Sequence, residues 1–298
     1  MQDIQSTADS RPERCSISFE VAEGVELRGD AWGSPADRPV LLLHGGGQTR
    51  HSWAGSSERI AAEGWYAVAL DQRGHGDSDW SPDGRYGMDP FIADAQVVAR
   101  RFDRPPVVVG ASLGGIAGLC AEGESERSIL AGIVLVDVTP RMEVEGAQRI
   151  MDFMTQKPDG FESLEDAADA IAGYTNHRSR RKDLSGLAKN LRQGDDGRWH
   201  WDPRFIHNDP TYRDGVVVEP EMQREGDRML ASARRVAVPI LLVRGRESDV
   251  VSTDGADEFL DATPHASFVD VSGAGHMVAG DRNDLFTDAV LEFLRKAF

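Results

Sequence analysis

One stretch near the middle of the chain constrains the fold more than any other. It covers residues 106–120 and reads PVVVGASLGGIAGLC. The β-branched run predicts a strand, and the small and apolar residues after it predict a helix. Between them lies Gly-x-Ser-x-Gly, with Ser112 flanked by Gly110 and Gly114. A turn this sharp needs glycine where any Cβ would collide with backbone, and it presents the Ser112 side chain at the edge of a sheet.

This arrangement predicts a nucleophile elbow. The helix after the turn points its N-terminal amides back at the serine, so the N–H of Leu113 is placed to receive negative charge on a substrate oxygen. A five-residue pattern can occur by chance. The prediction therefore depends on partner residues elsewhere in the chain.

Two such partners follow predicted strands, in the chain order Ser112, Asp249, His276. A serine hydroxyl needs a base, an imidazole can serve as one, and a carboxylate holds that imidazole in the right tautomer. Asp137, at the end of the strand after the elbow helix, is the alternative acid. We predict Asp249, because its loop can curl back toward the last strand, whereas Asp137 ends an apolar run and is followed at once by Val-Thr-Pro.

A glycine-rich loop ends the apolar run 39–44. No Walker lysine follows it, so we predict an oxyanion site with Gly46 as the amide donor and Gly47 as the reserve. His51 and Trp53 would line the same mouth, although Trp53 could instead pack in the core and His51 could cap the loop. The candidate pocket residues are Gly47, His51, Trp53, Asp137 and Met277.

The 298-residue chain has a formal net charge of −17, which argues against nucleic acid or an anionic membrane as a partner. Its two cysteines are too few for a disulfide framework, and a reducing cytoplasm fits best. The polar residues 1–13 lack the apolar core of a signal peptide, and no run reaches transmembrane length. No cluster has metal-ligand spacing, so we expect neither metal nor organic cofactor. Assembly into a homo-oligomer is left open.

The order of predicted elements indicates a mostly parallel sheet flanked by helices. Alternation over residues 16–21 and 26–32 predicts an edge hairpin around Glu23-Gly24. Buried strands are predicted at 39–44, 65–70, 106–109, 129–137, 236–243 and 266–271. From Pro140 the chain becomes charged and helical in pattern until Arg235, which predicts an inserted lid. The predicted division is therefore a core of residues 1–139 and 236–298, with a helical lid at 140–235.

Together these motifs resemble the α/β-hydrolase superfamily, in the lid-bearing branch of serine esterases, lactonases, cofactor-free haloperoxidases, carbon–carbon bond hydrolases and epoxide hydrolases. The residues that carry the resemblance are His44–Gly47, Asp71–Ser78, Gly110–Gly114, Asp249 and Gly275-His276. Epoxide hydrolases and haloalkane dehalogenases have an aspartate at the elbow, so Ser112 argues against both.

The resemblance implies the α/β-hydrolase fold and an acyl-transfer mechanism on a small molecule. An ester or a lactone is the expected substrate. A carbon–carbon bond hydrolase or a haloperoxidase would use the same triad, and a binding protein could keep the pocket without turnover. The resemblance leaves these alternatives open because one scaffold hosts many chemistries.

Overall fold

A central sheet with helices on both faces organises the chain. The computed structural model describes residues 12–84, 86–157, 159–174, 184–200, 211–213, 215–276 and 283–298. The strands are β1 Arg14–Glu20, β2 Glu26–Trp32, β3 Arg38–Leu43, β4 Trp65–Leu70, β5 Val107–Ala111, β6 Gly132–Val136, β7 Arg192–Gln193, β8 Trp199–His200, β9 Tyr212–Arg213, β10 Val216–Val217, β11 Ile240–Gly245 and β12 Ser267–Val271. The helices are α1 Ala54–Ala62, α2 Met88–Ala99, α3 Leu113–Gly123, α4 Val144–Thr155, α5 Leu164–Tyr174, α6 Ser185–Ala188, α7 Glu219–Ala233, α8 Thr253–Ala262 and α9 Asn283–Ala297.

The sheet has eight strands in the order β1-β2-β4-β3-β5-β6-β11-β12. The predicted edge hairpin is confirmed: β1 and β2 pair antiparallel with Glu20 opposite Glu26. Its turn contains two left-handed residues, Glu23 at φ 64° and Gly24 at φ 73°. From β4 to β12 neighbouring strands run parallel.

The four central parallel strands are continuous apolar runs because both of their faces are covered. Leu41, Val108, Ile133 and Ile240 stand side by side across β3, β5, β6 and β11, each 1% exposed or less. Helices α2, α3 and α7 cover one face, and α1 and α9 cover the other. This layering brings the carboxyl ends of the parallel strands to one edge of the sheet.

Helix α7 lies within the predicted inserted segment, residues 140–235, and packs on the core. A Cβ on Gly123 of α3 would lie only 2.5 Å from the carbonyl oxygen of Ser232, so the two helices are in direct backbone contact. Arg228 of α7 also donates to both carboxylate oxygens of Glu124, at 2.6 and 2.9 Å. Because α7 packs on α3 over the sheet, we predict that the inserted segment ends before Glu219. The charged, exposed face of α7 makes its sequence resemble that of a lid.

The segment between β6 and α7 has a small apolar cluster of its own. Phe161, Ala167 and Leu191 are buried there, and Trp199 packs against them. Two antiparallel pairs, β7 with β8 and β9 with β10, complete the segment. No helix in the described part of the chain is both long enough and apolar enough to cross a membrane.

Candidate active site

The Gly-x-Ser-x-Gly motif forms the strained turn that its sequence predicts. Ser112, between β5 and α3, has φ 44° and ψ −114°, a region that side chains other than glycine seldom occupy. A Cβ on Gly110 would lie 2.4 Å from the Gly114 carbonyl oxygen, and one on Gly114 would lie 2.4 Å from the Leu43 carbonyl oxygen. Both glycines are therefore required for the approach of α3 to β3 and β5.

Ser112 is tied to the neighbouring strand. Its N–H donates to the carbonyl oxygen of Val136, the last residue of β6, at 3.2 Å. The next residue along the chain is Asp137, so the turn that carries the serine lies beside the loop that begins with this aspartate. Leu113 opens α3, and because the first amides of a helix have no acceptor within it, its N–H is a candidate donor to a substrate oxygen.

The glycine-rich loop lies against the serine. A Cβ on Gly45 would be 3.5 Å from the Cβ of Ser112. The Gly45 N–H donates to Gln48 Oε1 at 3.3 Å, and the Gly47 N–H donates to His75 Nε2 at 3.1 Å. Since the Gly47 amide is already used, its predicted reserve role is wrong. Among the hydrogen bonds of the described residues the Gly46 amide has no acceptor, so it is the remaining candidate donor.

Two buried histidines hold this loop in place. Nδ1 of His44 lies 2.8 Å from the Gly45 carbonyl oxygen and its Nε2 accepts the Gln72 N–H at 3.0 Å. His75 Nδ1 lies 3.0 Å from the Arg73 carbonyl oxygen, while its Nε2 accepts the Gly47 N–H. These partners fix both rings as neutral Nδ1–H tautomers. Burial lowers the pKa of His44 to about 4 and that of His75 to about 3.

Asp71 accepts hydrogen bonds from both sides of the polar turn after β4. Its carboxylate accepts the N–H of Arg50 at 2.7 Å and the N–H of Asp77 at 2.9 Å. It also forms an ion pair with the Arg50 guanidinium. Asp71 thereby holds Arg50 in place, three residues after the glycine-rich loop.

The structure corrects the predicted acid. His276 Nδ1 lies 2.8 Å from Oδ2 of Asp137, whose side chain is fully buried. Asp249 instead accepts Arg149 Nε at 2.9 Å, and its side chain is 39% exposed. The reason lies in the backbone. Asp137 has φ 49°, which turns its side chain from the end of β6 toward the last strand's loop, while Asp249 faces helix α4.

Sequence reasoning missed two further contacts of Asp137. The Gly245 N–H donates to Oδ1 at 2.9 Å, and the Ser248 hydroxyl donates to Oδ2 at 2.6 Å. Gly245 is the last residue of β11, and Ser248 belongs to the loop that follows it, where the resemblance placed the acid itself. No local pattern marks a serine as the partner of a carboxylate on another strand, so only the fold reveals this contact.

The remaining pocket candidates lie in different parts of the structure. Trp53 is 1% exposed and packs on Phe286 with ring centroids 5.7 Å apart, so it is a core residue and the pocket role predicted for it is wrong. His51 and Gly47 line a cleft of about 230 Å³, with Lys189 and other residues of the inserted segment on its far side. Met277 lies outside the described residues. In the described ranges no three His, Cys, Asp or Glu side chains converge as a metal site.

Comparison with known proteins supports the same architecture. The model of the alpha/beta hydrolase family matches residues 40–289. The protein named Esterase Rv0045c, from Mycobacterium tuberculosis, is 30% identical over 258 residues, which cover 84% of this chain and 80% of that protein. Its solved structure superposes with a TM-score of 0.73 at 26% identity, over 96% of this chain and 92% of that one.

A second relative is similar along nearly the whole chain. The 2-hydroxy-6-oxo-6-(2'-aminophenyl)hexa-2,4-dienoic acid hydrolase of Metapseudomonas resinovorans is 26% identical over 297 residues, covering 93% of this chain and 90% of that protein. The solved structure of an E-2-(acetamidomethylene)succinate hydrolase has a TM-score of 0.74 at 21% identity, over 95% of this chain and all of that one, and at this identity it supports the fold alone.

Proposed function

The chain belongs to the alpha/beta hydrolase family and is a hydrolase of that fold, and we propose that it cleaves a carboxylic ester or lactone of a small molecule through an acyl-enzyme. Ser112 is the nucleophile, His276 the base and Asp137 the acid. The observation that carries the proposal is the hydrogen bond of His276 Nδ1 with the buried Asp137. A carboxylate only accepts, so Nδ1 holds the proton and Nε2 keeps the lone pair of a base.

The proposed reaction uses each of these side chains in turn. His276 Nε2 removes the proton from Ser112 Oγ as this oxygen attacks the substrate carbonyl. The resulting oxyanion accepts hydrogen bonds from the amides of Gly46 and Leu113, aided by the dipole at the start of α3. His276 then passes the proton to the leaving alkoxide, and a water molecule activated by the same nitrogen hydrolyses the acyl-enzyme. Asp137 stabilises the imidazolium that forms in each half-reaction.

Covalent labelling tests the nucleophile directly. A fluorophosphonate probe should add one adduct to the wild type, on the peptide that contains Ser112, and none to Ser112→Ala. The same variant should lose a factor on the order of 10⁴ to 10⁶ in kcat against a series of p-nitrophenyl esters of increasing acyl length. A folded wild-type protein that takes up no probe and cleaves none of the esters would favour a binding protein on this fold.

A carbon–carbon bond hydrolase is the second candidate. The Metapseudomonas resinovorans relative, whose name describes a dienoic acid hydrolase, favours it. Such an enzyme would use the same three side chains on a dicarbonyl compound. Comparing kcat/KM for a 2-hydroxy-6-oxo-dienoate with that for the best ester separates the two, and a preference for the dienoate would replace the ester proposal.

A further inference from the structure

Ser248 lies directly behind the proposed acid. It belongs to the loop after β11, and its hydroxyl is 2.6 Å from Asp137 Oδ2. This is the same carboxylate oxygen that His276 Nδ1 approaches at 2.8 Å. Ser248 therefore shares an acceptor atom with the imidazole.

The direction of the Ser248 hydrogen bond is forced by its other contacts. Its Oγ accepts the N–H of Val250 at 3.2 Å and the N–H of Val251 at 3.1 Å. A hydroxyl has two lone pairs and one proton, and these two amides occupy the lone pairs. The proton is left for Asp137, which as a carboxylate can only accept it. The loop backbone thus aims a hydrogen-bond donor at the acid.

Donors from the end of β11 and from the loop after it hold the carboxylate at both oxygens. Gly245 N–H contacts Oδ1 at 2.9 Å while Ser248 contacts Oδ2. Asp137 itself sits on a left-handed backbone at φ 49° and is fully buried. A buried carboxylate held at only one oxygen could rotate about its Cβ–Cγ bond. With both oxygens held, the second lone pair of Oδ2 keeps a fixed direction, and His276 Nδ1 approaches it.

We propose that Ser248 is a positioning residue for the reaction, one that fixes the plane of the Asp137 carboxylate and through it the orientation of the His276 imidazole. The inference rests on the proposed function. It also accounts for the place of the acid: the end of β11 and its loop supply hydrogen-bond donors to the carboxylate that follows β6, while Asp249 of the same loop pairs with Arg149.

Ser248→Ala tests the inference. Losing one hydrogen bond to a charged group should lower kcat roughly 10- to 100-fold. KM for the ester should stay near that of the wild type, because Ser248 lies behind Asp137. The rate of fluorophosphonate labelling at Ser112 should fall by the same factor as kcat. Ser248→Cys, which keeps the volume but offers only a weak donor, should lose kcat in the same way and guards against a folding defect in the alanine variant.

The matched control is Ser252→Ala. Ser252 lies four residues further on, and its Oγ accepts the Gly255 N–H at 3.1 Å as the cap of α8 without touching Asp137. It should lose some thermal stability and keep wild-type kcat. In the Asp137→Asn background, adding Ser248→Ala should cost little more, since the first change already removes the carboxylate through which Ser248 acts.

The outcomes separate the two proposals. Wild-type kcat in a folded Ser248→Ala or Ser248→Cys protein, while Ser112→Ala and Asp137→Asn are inactive, overturns the positioning role and leaves the hydrolase mechanism intact. A loss that is fully additive with Asp137→Asn also overturns it. Retained activity and labelling in Ser112→Ala would instead remove the proposed function, on which this inference depends.

Discussion

Asp137 combines a left-handed backbone, at φ 49°, with complete burial of a charged group. Either feature alone costs free energy, because most side chains avoid positive φ and an isolated buried carboxylate is poorly solvated. Three hydrogen-bond donors offset the second cost: the Gly245 amide, the Ser248 hydroxyl and the His276 imidazole. Such an arrangement persists where the surrounding structure holds the residue in place.

The role of Asp137 gives a direct comparison between two aspartates. Asp137→Asn should lower kcat by about 10⁴ near neutral pH, because the amide keeps the shape but favours the wrong imidazole tautomer. Asp249→Asn should leave kcat close to the wild type and lower the free energy of unfolding by at most about 1 kcal/mol, since it removes only an exposed ion pair with Arg149. Steady-state kinetics and urea denaturation of both variants check this. If both proteins are folded and Asp249→Asn loses far more kcat than Asp137→Asn, Asp249 is the acid instead.

At the scale of elements, the packing of α3 against the sheet depends on glycine residues, which carry no Cβ atom. Gly114→Ala should destabilise the protein by about 2 kcal/mol or more, because its Cβ would lie 2.4 Å from the Leu43 carbonyl oxygen in a region with no room to move. Gly173→Ala, on the exposed side of α5 with nothing within 4 Å of the new Cβ, is the matched control. It should stabilise its helix by about 0.5–1 kcal/mol.

Urea denaturation midpoints of the two glycine variants provide the measurement. Equal shifts in both would mean that the contact of α3 with β3 does not constrain the elbow. A stabilised Gly114→Ala protein would contradict the close approach altogether.

The segment between β6 and α7 contacts the rest of the described structure at the glycine-rich loop and through α4, whose Met151 packs in the main core. At the glycine-rich loop, Thr49 Oγ1 donates to Asn190 Oδ1 at 2.7 Å, and the side chain of Met154 occupies the space where a Gly47 Cβ would be. We predict that residues 140–218 form a separable lid, because their charged, helical pattern differs from that of the buried strands on either side. Limited proteolysis should cut first within this range, as identified by mass spectrometry of the fragments. Initial cuts within α7 or β5 would contradict the boundary.

For the molecule as a whole, the buried pair His44 and His75 makes stability depend on pH. Their folded pKa values, about 4 and about 3, lie below the unfolded value of 6.5. As the pH falls below about 6.5, these two histidines bind protons in the unfolded chain but stay neutral in the folded one. Stability is therefore full above pH 7 and falls toward pH 4, by about 1.4 kcal/mol per pH unit for each ring.

Replacing one ring tests this dependence. His75→Gln should lower the free energy of unfolding at pH 7.5, because the amide does not fill the buried space of the imidazole ring, and should flatten the decline between pH 6.5 and 4. His265→Gln, at an exposed position, should leave the slope as it is in the wild type. Thermal and urea unfolding measured across this pH range give both quantities. An unchanged slope in His75→Gln would show that His75 is not held neutral.

The local sequence determined the fold and the places of two of the three proposed catalytic side chains. Strand and helix periods, together with glycines at turns, are local properties of the chain, so the edge hairpin, the parallel strands and the Ser112 turn could be predicted. His276 could be predicted for the same reason, since it ends a Gly-rich loop after the last strand. Its role and that of Ser112 are tested by the experiments above.

Only the tertiary structure decided which acid meets His276. Asp137 and Asp249 both follow parallel strands at one edge of the sheet, and spacing along the chain favoured the wrong one. The outcome depended on a left-handed residue at 137 and on the Ser248 hydroxyl from a neighbouring strand. Likewise the burial of Trp53 against Phe286 and the packing of α7 on α3 join residues far apart in sequence. The periodicity of apolar residues shows which face of a helix or strand is apolar, but it does not show which distant part of the chain will cover that face.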